Sequence, residues 1–148
     1  MTLPRNPLVI ERRIAFSQTD AAGLVHFTTY FTLMEEAEAE LFRNLGLTLL
    51  ETGNEQTFGF PRVNCQCRFR RPIGFDDTVR IELTIAELSH NRIQYQFVFT
   101  GPDGKTCATG TMTTAAATRT GDGNLQGAEI PPAMVETIKK WKNQGHEL

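Results

Sequence analysis

The chain has 148 residues, of which 40% are apolar and 22% are charged, a composition that is ordinary for a globular domain. Its 17 acidic and 15 basic residues nearly balance, which argues against a nucleic-acid-binding protein, because such proteins usually carry an excess of basic residues. The three cysteines cannot all pair with one another inside the chain.

The sequence carries no sign of export or of a membrane segment. The first residues lack the long apolar core and the small-residue cleavage site of a signal peptide. The apolar-rich stretch 21–34 is too short to span a bilayer. We therefore expect one domain over residues 1–148, located in the cytoplasm, with neither a nucleic acid nor a membrane as partner.

The hydrophobic pattern predicts a strand followed by a long helix. Residues 8–17 alternate in part and are rich in β-branched side chains, which indicates a strand. After a turn sequence at 19–23, apolar residues recur every three or four positions. This spacing predicts an amphipathic helix over 27–45, and Gly46 is suited to end it.

Four further strands and a short helix are predicted after the long helix. An Asp-Gly pair at 103–104 marks one hairpin, and the glycine-rich segment 120–128 is expected to be a surface loop. A short C-terminal helix begins near Pro132. Because the strands are joined by hairpins, we predict an α+β fold with a mostly antiparallel sheet. Apolar and polar residues alternate over 63–70 and 79–88, and the other two predicted strands are 93–99 and the small-residue segment 106–118.

Asp20 lies between the first strand and the N-terminus of the predicted helix. An ionised carboxylate is favoured there by the helix dipole and by unpaired backbone N–H groups. Such a carboxylate can attack a carbonyl carbon or deprotonate a water molecule. The same residue can instead cap the helix or close an Asx turn, so its position alone leaves a purely structural role open.

Two segments carry a family resemblance. The first is TDAAGLVHFTTYFTLMEEAEAELFRNLGL, which has a Thr-Asp pair, an Ala-Ala-Gly turn, an aromatic-rich stretch and a helix that ends at Leu-Gly. The second is FPRVNCQCRFRRPIGFDDTVRIEL. Over 8–118 the chain resembles the 4-hydroxybenzoyl-CoA thioesterase family of the hotdog-fold superfamily.

The resemblance implies a hotdog fold, in which a five-stranded antiparallel sheet wraps around one long central helix, followed here by the short C-terminal helix. It also implies a homodimer or homotetramer with active sites between subunits. The implied activity is hydrolysis of a small or medium acyl thioester, aromatic or aliphatic, on coenzyme A or on a carrier protein. The resemblance implies a reaction without a metal. No cofactor is expected either, because coenzyme A is part of the substrate.

The resemblance also assigns roles to residues near the helix N-terminus. Asp20 matches the catalytic carboxylate, and the backbone N–H of Phe27 matches the group that polarises the thioester carbonyl. Backbone N–H groups at a helix N-terminus can stabilise an oxyanion without any special side chain. His26 stands one position before the histidine of many relatives and can contact the thioester, orient Asp20 or water, or simply pack.

Further residues are candidates for substrate binding. Gly23 permits a backbone conformation that few other residues adopt. The turn at 89–92 is less basic than in the best-known branch of the family, so Arg119 is a further candidate for phosphate contact. Expected acyl-slot walls are Phe27, Tyr30, Phe31, Phe58 and Phe60, and expected CoA-phosphate contacts are Arg62, Arg71, His90 and Arg92.

Two other residue groups favour a structural interpretation. Glutamates at 35, 36, 38 and 40 mostly occupy the solvated face of the helix, with Glu38 a candidate for a subunit contact. Cys65 and Cys67 share one face of a strand but lack the further ligands of a metal site.

Two alternative functions are compatible with the same fold. One is an acyl-thioester dehydratase or hydratase that uses His26 as its catalytic group. The other is a non-catalytic acyl-CoA-binding protein that forms oligomers.

Overall fold

Residues 2–53 and 55–144 are described by the structure, which is a computed structural model. Within these residues the chain forms two antiparallel sheets and two α-helices, with a 3₁₀ turn at Phe16–Gln18. The elements are β1 (Leu8–Arg13), α1 (Phe27–Leu45), β2 (Glu51–Thr52), β3 (Gln56–Gly59), β4 (Arg62–Phe69), β5 (Thr78–Leu88), β6 (Arg92–Thr100), β7 (Thr106–Ala115), β8 (Ala117–Thr120), β9 (Leu125–Gly127) and α2 (Pro132–Gln144).

The larger sheet has five strands in the order β1-β5-β6-β7-β4, and each neighbouring pair is antiparallel. Successive side chains of a strand point to opposite faces. On β5, Val79, Ile81 and Leu83 are buried while Arg80 between them is exposed, so one face of the sheet is apolar. Strand β4 forms one edge of this sheet, and most of its residues are exposed.

Helix α1 packs on the apolar face of the five-stranded sheet. Met34, Ala37 and Leu41, at helical spacing, are each 0% exposed. The helix approaches the sheet closely at Gly110 of β7, where a Cβ atom would overlap the Met34 side chain and lie 3.0 Å from the carbonyl oxygen of Gln66. Glycine at this position therefore permits the observed distance between helix and sheet.

Helix α2 packs beside the N-terminal segment and β5. Its buried residues are Met134, Ile138 and Trp141, as the sequence predicts. The indole N–H of Trp141 donates to the carbonyl oxygen of Arg5 over 3.3 Å, and the amide nitrogen of Asn6 donates to the carbonyl oxygen of Trp141 over 3.0 Å. Neither described helix is both long and apolar enough to cross a membrane.

The sequence prediction of the main elements is confirmed, with two corrections. Helix α1 has the predicted bounds and ends at Gly46, whose φ of 72° is left-handed. The first strand is shorter than the predicted 8–17, because the chain turns into the 3₁₀ segment after β1. The predicted loop 120–128 contains β9, which belongs to a second sheet of order β2-β3-β8-β9.

The sequence pattern did not predict the second sheet, because its strands are short. They span two to four residues, too few to show an alternating pattern. It continues from the first sheet, since β8 follows β7 after the single residue Ala116.

Replacing Gly110 with alanine is expected to destabilise the protein by about 1–3 kcal/mol, because the added methyl group overfills the contact between α1 and β7. Gly127→Ala is the matched control, since a Cβ atom at Gly127 meets no atom within 4 Å. Thermal unfolding at one fixed protein concentration measures both effects. Equal melting temperatures for the two variants would contradict the proposed close approach.

Candidate active site

The loop 19–26 leads from the 3₁₀ turn into α1 and folds back on itself. Thr19 and Val25 form an isolated antiparallel bridge, and the N–H of Asp20 donates to the carbonyl oxygen of Leu24 over 2.7 Å. The N–H of Gly23 donates to the carbonyl oxygen of Asp20 over 3.0 Å. Gly23 has a φ of 79°, which confirms the prediction that a left-handed residue is needed here.

A second loop, residues 70–77 between β4 and β5, holds this loop in place. The N–H of Val25 donates to the carbonyl oxygen of Ile73 over 2.8 Å, and the N–H of Phe75 donates to that of Gly23 over 3.2 Å. The backbone on both sides of Asp20 is thus fixed by hydrogen bonds within and between the two loops.

The Asp20 carboxylate has one engaged oxygen and one free oxygen. Oδ1 accepts hydrogen bonds from the N–H of Ala22, at 2.9 Å, and from the N–H of Leu24, at 3.2 Å. This is the Asx turn that the sequence left open as a structural role. No group in the described part of the chain donates to Oδ2, and the residue is exposed. The turn therefore orients the carboxylate and leaves Oδ2 available for chemistry.

His26 caps the N-terminus of α1 with its side chain. Nδ1 accepts the N–H of Thr28 at 3.3 Å and lies 2.7 Å from the hydroxyl oxygen of Thr28. The carbonyl oxygen of His26 accepts the N–H of Thr29 at 2.9 Å. The N–H of Phe27, by contrast, meets no acceptor within the described residues. The helix therefore begins with one unpaired N–H, at the position predicted to polarise a carbonyl group.

The cap also fixes the hydrogen-bonding role of the His26 ring. Because Nδ1 accepts the N–H of Thr28, the proton of the neutral imidazole is assigned to Nε2. The ring stacks on Phe27, with ring centroids 4.7 Å apart and an interplanar angle of 28°. In this tautomer Nε2 is a hydrogen-bond donor.

Asp20, His26, Phe27 and Tyr30 line a single cleft of about 560 Å³ together with residues 69–73, and we call it the Asp20 cleft. Tyr30 is 4% exposed, and its ring makes an edge contact with Phe69 at 5.0 Å. Burial raises the pKa of Tyr30 to about 12, so its phenol remains protonated at neutral pH. Tyr30 is thus both a core residue and part of the cleft wall.

The described cysteines are poorly suited to act as nucleophiles beside Asp20. Burial raises the pKa of the Cys67 thiol to about 11, and it does the same for Cys107. A thiol is a weak nucleophile until it loses its proton. The free carboxylate oxygen of Asp20 is the better candidate at neutral pH.

The other predicted site residues lie at two opposite ends of the five-stranded sheet. Arg71 lines the Asp20 cleft, and so does its neighbour Arg70. Arg62 and Arg92 lie at the opposite end, where they pair with Thr114 and Ala115 of β7. The predicted site residues that do not line the Asp20 cleft within one chain are Gly23, Phe31, Phe58, Phe60, Arg62, His90, Arg92 and Arg119.

Glu38, the candidate for a subunit contact, is buried inside the chain instead of lying on the surface of α1. It is 0% exposed, and its Oε1 lies 2.6 Å from Nη2 of Arg62. The buried hydroxyl groups of Tyr95 and Thr114 lie beside this carboxylate. Burial raises the pKa of Glu38, while the Arg62 guanidinium opposes that shift. The helical spacing gave no signal for the pairing of Glu38 with Arg62 inside the chain.

A long helix packed on one face of an antiparallel sheet is the arrangement of the hotdog fold. The sequence model of the thioesterase-like superfamily matches residues 14–138, and the chain belongs to this family. It is accordingly a thioester hydrolase.

Relatives with assigned activities support this placement. A 1,4-dihydroxy-2-naphthoyl-CoA hydrolase from Prochlorococcus marinus (strain MIT 9303) is 36% identical over 103 residues, which cover 65% of this chain and 68% of the relative. A gentisyl-coenzyme A thioesterase of solved structure is 27% identical, with a TM-score of 0.71, over 85% of this chain and 98% of that chain.

A more distant structure shares the fold. A 4-hydroxybenzoyl-CoA thioesterase, solved in complex with 4-hydroxybenzoyl-CoA, is 20% identical with a TM-score of 0.74, over 90% of this chain and 99% of that chain.

Loss of the His26 cap is expected to destabilise the protein. His26→Ala removes the acceptor for the N–H of Thr28 and is expected to cost about 1 kcal/mol, whereas His26→Asn supplies another capping oxygen and is expected to cost less. Thermal unfolding of the two variants compares these effects. If alanine and asparagine gave the same melting temperature, the side-chain cap would contribute no stability.

Proposed function

We propose that the protein hydrolyses an aromatic acyl-CoA thioester in the Asp20 cleft. The observation that carries this proposal is that the free Oδ2 of Asp20 and the unpaired N–H of Phe27 belong to residues of one cleft. A thioester carbonyl that accepts the Phe27 N–H presents its carbon to an oxygen nucleophile, and the N–H stabilises the negative charge that develops on the carbonyl oxygen.

The Asp20 carboxylate supplies that nucleophile by one of two routes. Oδ2 attacks the carbonyl carbon and forms an anhydride that water then cleaves, or it removes a proton from a water molecule that attacks instead. In both routes the carbon–sulfur bond breaks and the thiolate of coenzyme A leaves and takes up a proton. Because Oδ1 is held by the Asx turn, both routes use the same free oxygen.

His26 is assigned the role of a hydrogen-bond donor in this scheme. Its Nδ1 is occupied by the helix cap, so only the Nε2–H can reach a substrate atom. A donor at this position can stabilise the carbonyl oxygen or the departing thiolate. This assignment disfavours the hydratase alternative, in which a basic histidine is needed.

The cleft favours an aromatic acyl group. Phe27 is 59% exposed, and Tyr30 and Phe69 also line the cleft, so a flat ring has aromatic faces and edges to contact. The related enzymes named for naphthoyl-CoA and gentisyl-CoA substrates act on aromatic thioesters. Arg70 and Arg71 line the same cleft and are assigned to contact the phosphates of coenzyme A.

We further propose that the protein acts as a homo-oligomer. Strand β4 offers an open edge with Val63 and Phe69 each 50% exposed. Open apolar edges of this kind are usually covered by another strand. The predicted contacts of Phe58, Phe60, Arg62, His90 and Arg92 with substrate then require a second chain, because in one chain they lie away from the Asp20 cleft.

Asp20→Asn is expected to lower kcat for the best substrate by about 10²–10⁴-fold, because the amide oxygen keeps the Asx turn but neither attacks nor accepts a proton. The test measures hydrolysis of benzoyl-, hydroxybenzoyl-, naphthoyl- and straight-chain acyl-CoA. Loss of thioester absorbance is the appropriate signal, because Cys65 is an exposed thiol that interferes with thiol reagents.

Asp103→Asn is the matched control, since its Oδ1 accepts the N–H of Lys105 in a hairpin outside the cleft. This variant is expected to keep full activity. Retention of activity in Asp20→Asn would show that another residue activates the nucleophile. A preference for straight-chain substrates would contradict the proposed aromatic acyl group but not the proposed role of Asp20.

A further inference from the structure

Within the described chain, the hydrogen bonds of the His26 ring all go to one residue, Thr28. Nδ1 of His26 lies 2.7 Å from the hydroxyl oxygen of Thr28 and 3.3 Å from its backbone nitrogen. His26 lines the Asp20 cleft, whereas Thr28 is not among the residues of its wall. Thr28 is thus placed to act on a bound substrate through the imidazole.

The backbone N–H of Thr28 fixes the direction of both hydrogen bonds. An N–H group can only donate, so Nδ1 of His26 is an acceptor in this arrangement. A hydroxyl group can donate or accept, and beside an unprotonated Nδ1 it donates. The two bonds together disfavour a proton on Nδ1 and leave the proton of the neutral ring on Nε2.

The hydroxyl group supplies the shorter of the two bonds. A separation of 2.7 Å is typical of a good hydrogen bond, whereas 3.3 Å lies just beyond the usual range for a nitrogen donor. Without the hydroxyl, the ring would be joined to the helix by the longer bond alone. Most of the restraint on the edge of the imidazole therefore comes from the Thr28 side chain.

The position of Thr28 at the start of α1 leaves its hydroxyl group available for His26. Threonine inside a helix often bonds to the carbonyl oxygen three or four residues earlier. Thr28 is the second residue of α1, so Leu24, four residues earlier, lies outside the helix. The carbonyl oxygen of Leu24 already accepts the N–H of Asp20 over 2.7 Å. The usual competitor for a helical threonine hydroxyl is therefore engaged elsewhere.

Phe27 restrains the plane of the same imidazole. The two rings stack with centroids 4.7 Å apart and an interplanar angle of 28°. The stack holds one face of the ring, and the bonds to Thr28 hold one edge. His26 is exposed, and over residues 2–53 and 55–144 no group bonds to its Nε2. The Nε2–H is thus fixed in direction and free to donate to a ligand.

We propose that Thr28 is a positioning residue, which orients the His26 imidazole so that Nε2–H donates to the reacting thioester. This inference rests on the proposed hydrolysis in the Asp20 cleft. The Nε2–H stabilises the negative charge that develops on the carbonyl oxygen or on the departing sulfur. Because the ring is oriented before the substrate binds, this donor needs no rearrangement during the reaction.

Thr28→Val removes the hydroxyl group and keeps the branching of the side chain. It is expected to lower kcat on the best acyl-CoA about five- to tenfold, the effect of about one hydrogen bond. Thr28→Ser keeps the hydroxyl and is expected to retain most of the activity. Thr32→Val is the matched control, because Thr32 is an exposed threonine of the same helix outside the cleft. This control is expected to leave kcat unchanged.

The same substitution in a His26→Ala background shows whether Thr28 acts through the ring. There Thr28→Val is expected to cause no further loss of kcat, because the imidazole that it positions is absent. A loss of the same size in both backgrounds would overturn the proposal. Equal kcat values for Thr28→Val and Thr28→Ser would overturn it as well.

A spectroscopic measurement on the free protein completes the test. The ¹⁵N NMR signals of the His26 ring nitrogens, assigned by their loss in His26→Ala, are recorded at alkaline pH, where an imidazole is neutral. Thr28→Val is expected to move the two signals toward each other, because the proton is then shared between Nδ1 and Nε2, whereas Thr28→Ser is expected to leave them in place. Unchanged signals in Thr28→Val would overturn the proposal. Since this measurement needs no substrate, it judges the role of Thr28 even if no acyl-CoA is hydrolysed.

Discussion

The packing of α1 on the five-stranded sheet determines where every group of the candidate site lies. Met34, Ala37 and Leu41 bury the inner face of the helix, and the absence of a side chain at Gly110 allows it to come close. This packing fixes the position of the helix N-terminus, which directly follows the loop that carries Asp20. Two backbone N–H groups of the loop hold the Asp20 carboxylate in place. The N–H of Phe27 is a backbone group, and hydrogen bonds of the loop before it fix its position.

The start of α1 leaves one polar group without a partner, whereas its middle buries a charged group together with a partner. At the start, His26 accepts the N–H of Thr28, whereas the N–H of Phe27 stays free in the Asp20 cleft. In the middle, Glu38 is buried with Arg62 as its partner. Burying an ion pair is often no gain in stability, so its presence favours a role in fixing the orientation of Arg62.

Sequence patterns predicted the parts of the fold that repeat regularly. Apolar spacing gave the bounds of α1, and alternation gave the strands of the large sheet. The Asp20 carboxylate and the helix N-terminus were found because they are adjacent in sequence. Phe69, the last residue of β4, and Arg70 after it reach the same cleft from a segment distant in sequence, and Glu38 is buried against Arg62 of that strand. No local pattern encodes such contacts, which is why these features had to come from the structure.

A Phe27→Pro variant tests whether the N–H of Phe27 polarises the thioester carbonyl. Proline removes this N–H yet is well tolerated at the first position of a helix, and His26 already has the extended ψ of 138° that a residue before proline prefers. Phe27→Ala is the control, because it keeps the N–H and loses the ring. The first measurement is kcat of each variant on the best acyl-CoA. The second is the infrared carbonyl stretch of a ¹³C-labelled thioester, bound to each variant after Asp20→Asn has been added to it. We expect kcat to be about 10²–10³-fold lower for proline than for alanine, and the carbonyl stretch to shift to lower frequency only where the N–H is present. Equal rates and equal carbonyl frequencies in the two variants would contradict it.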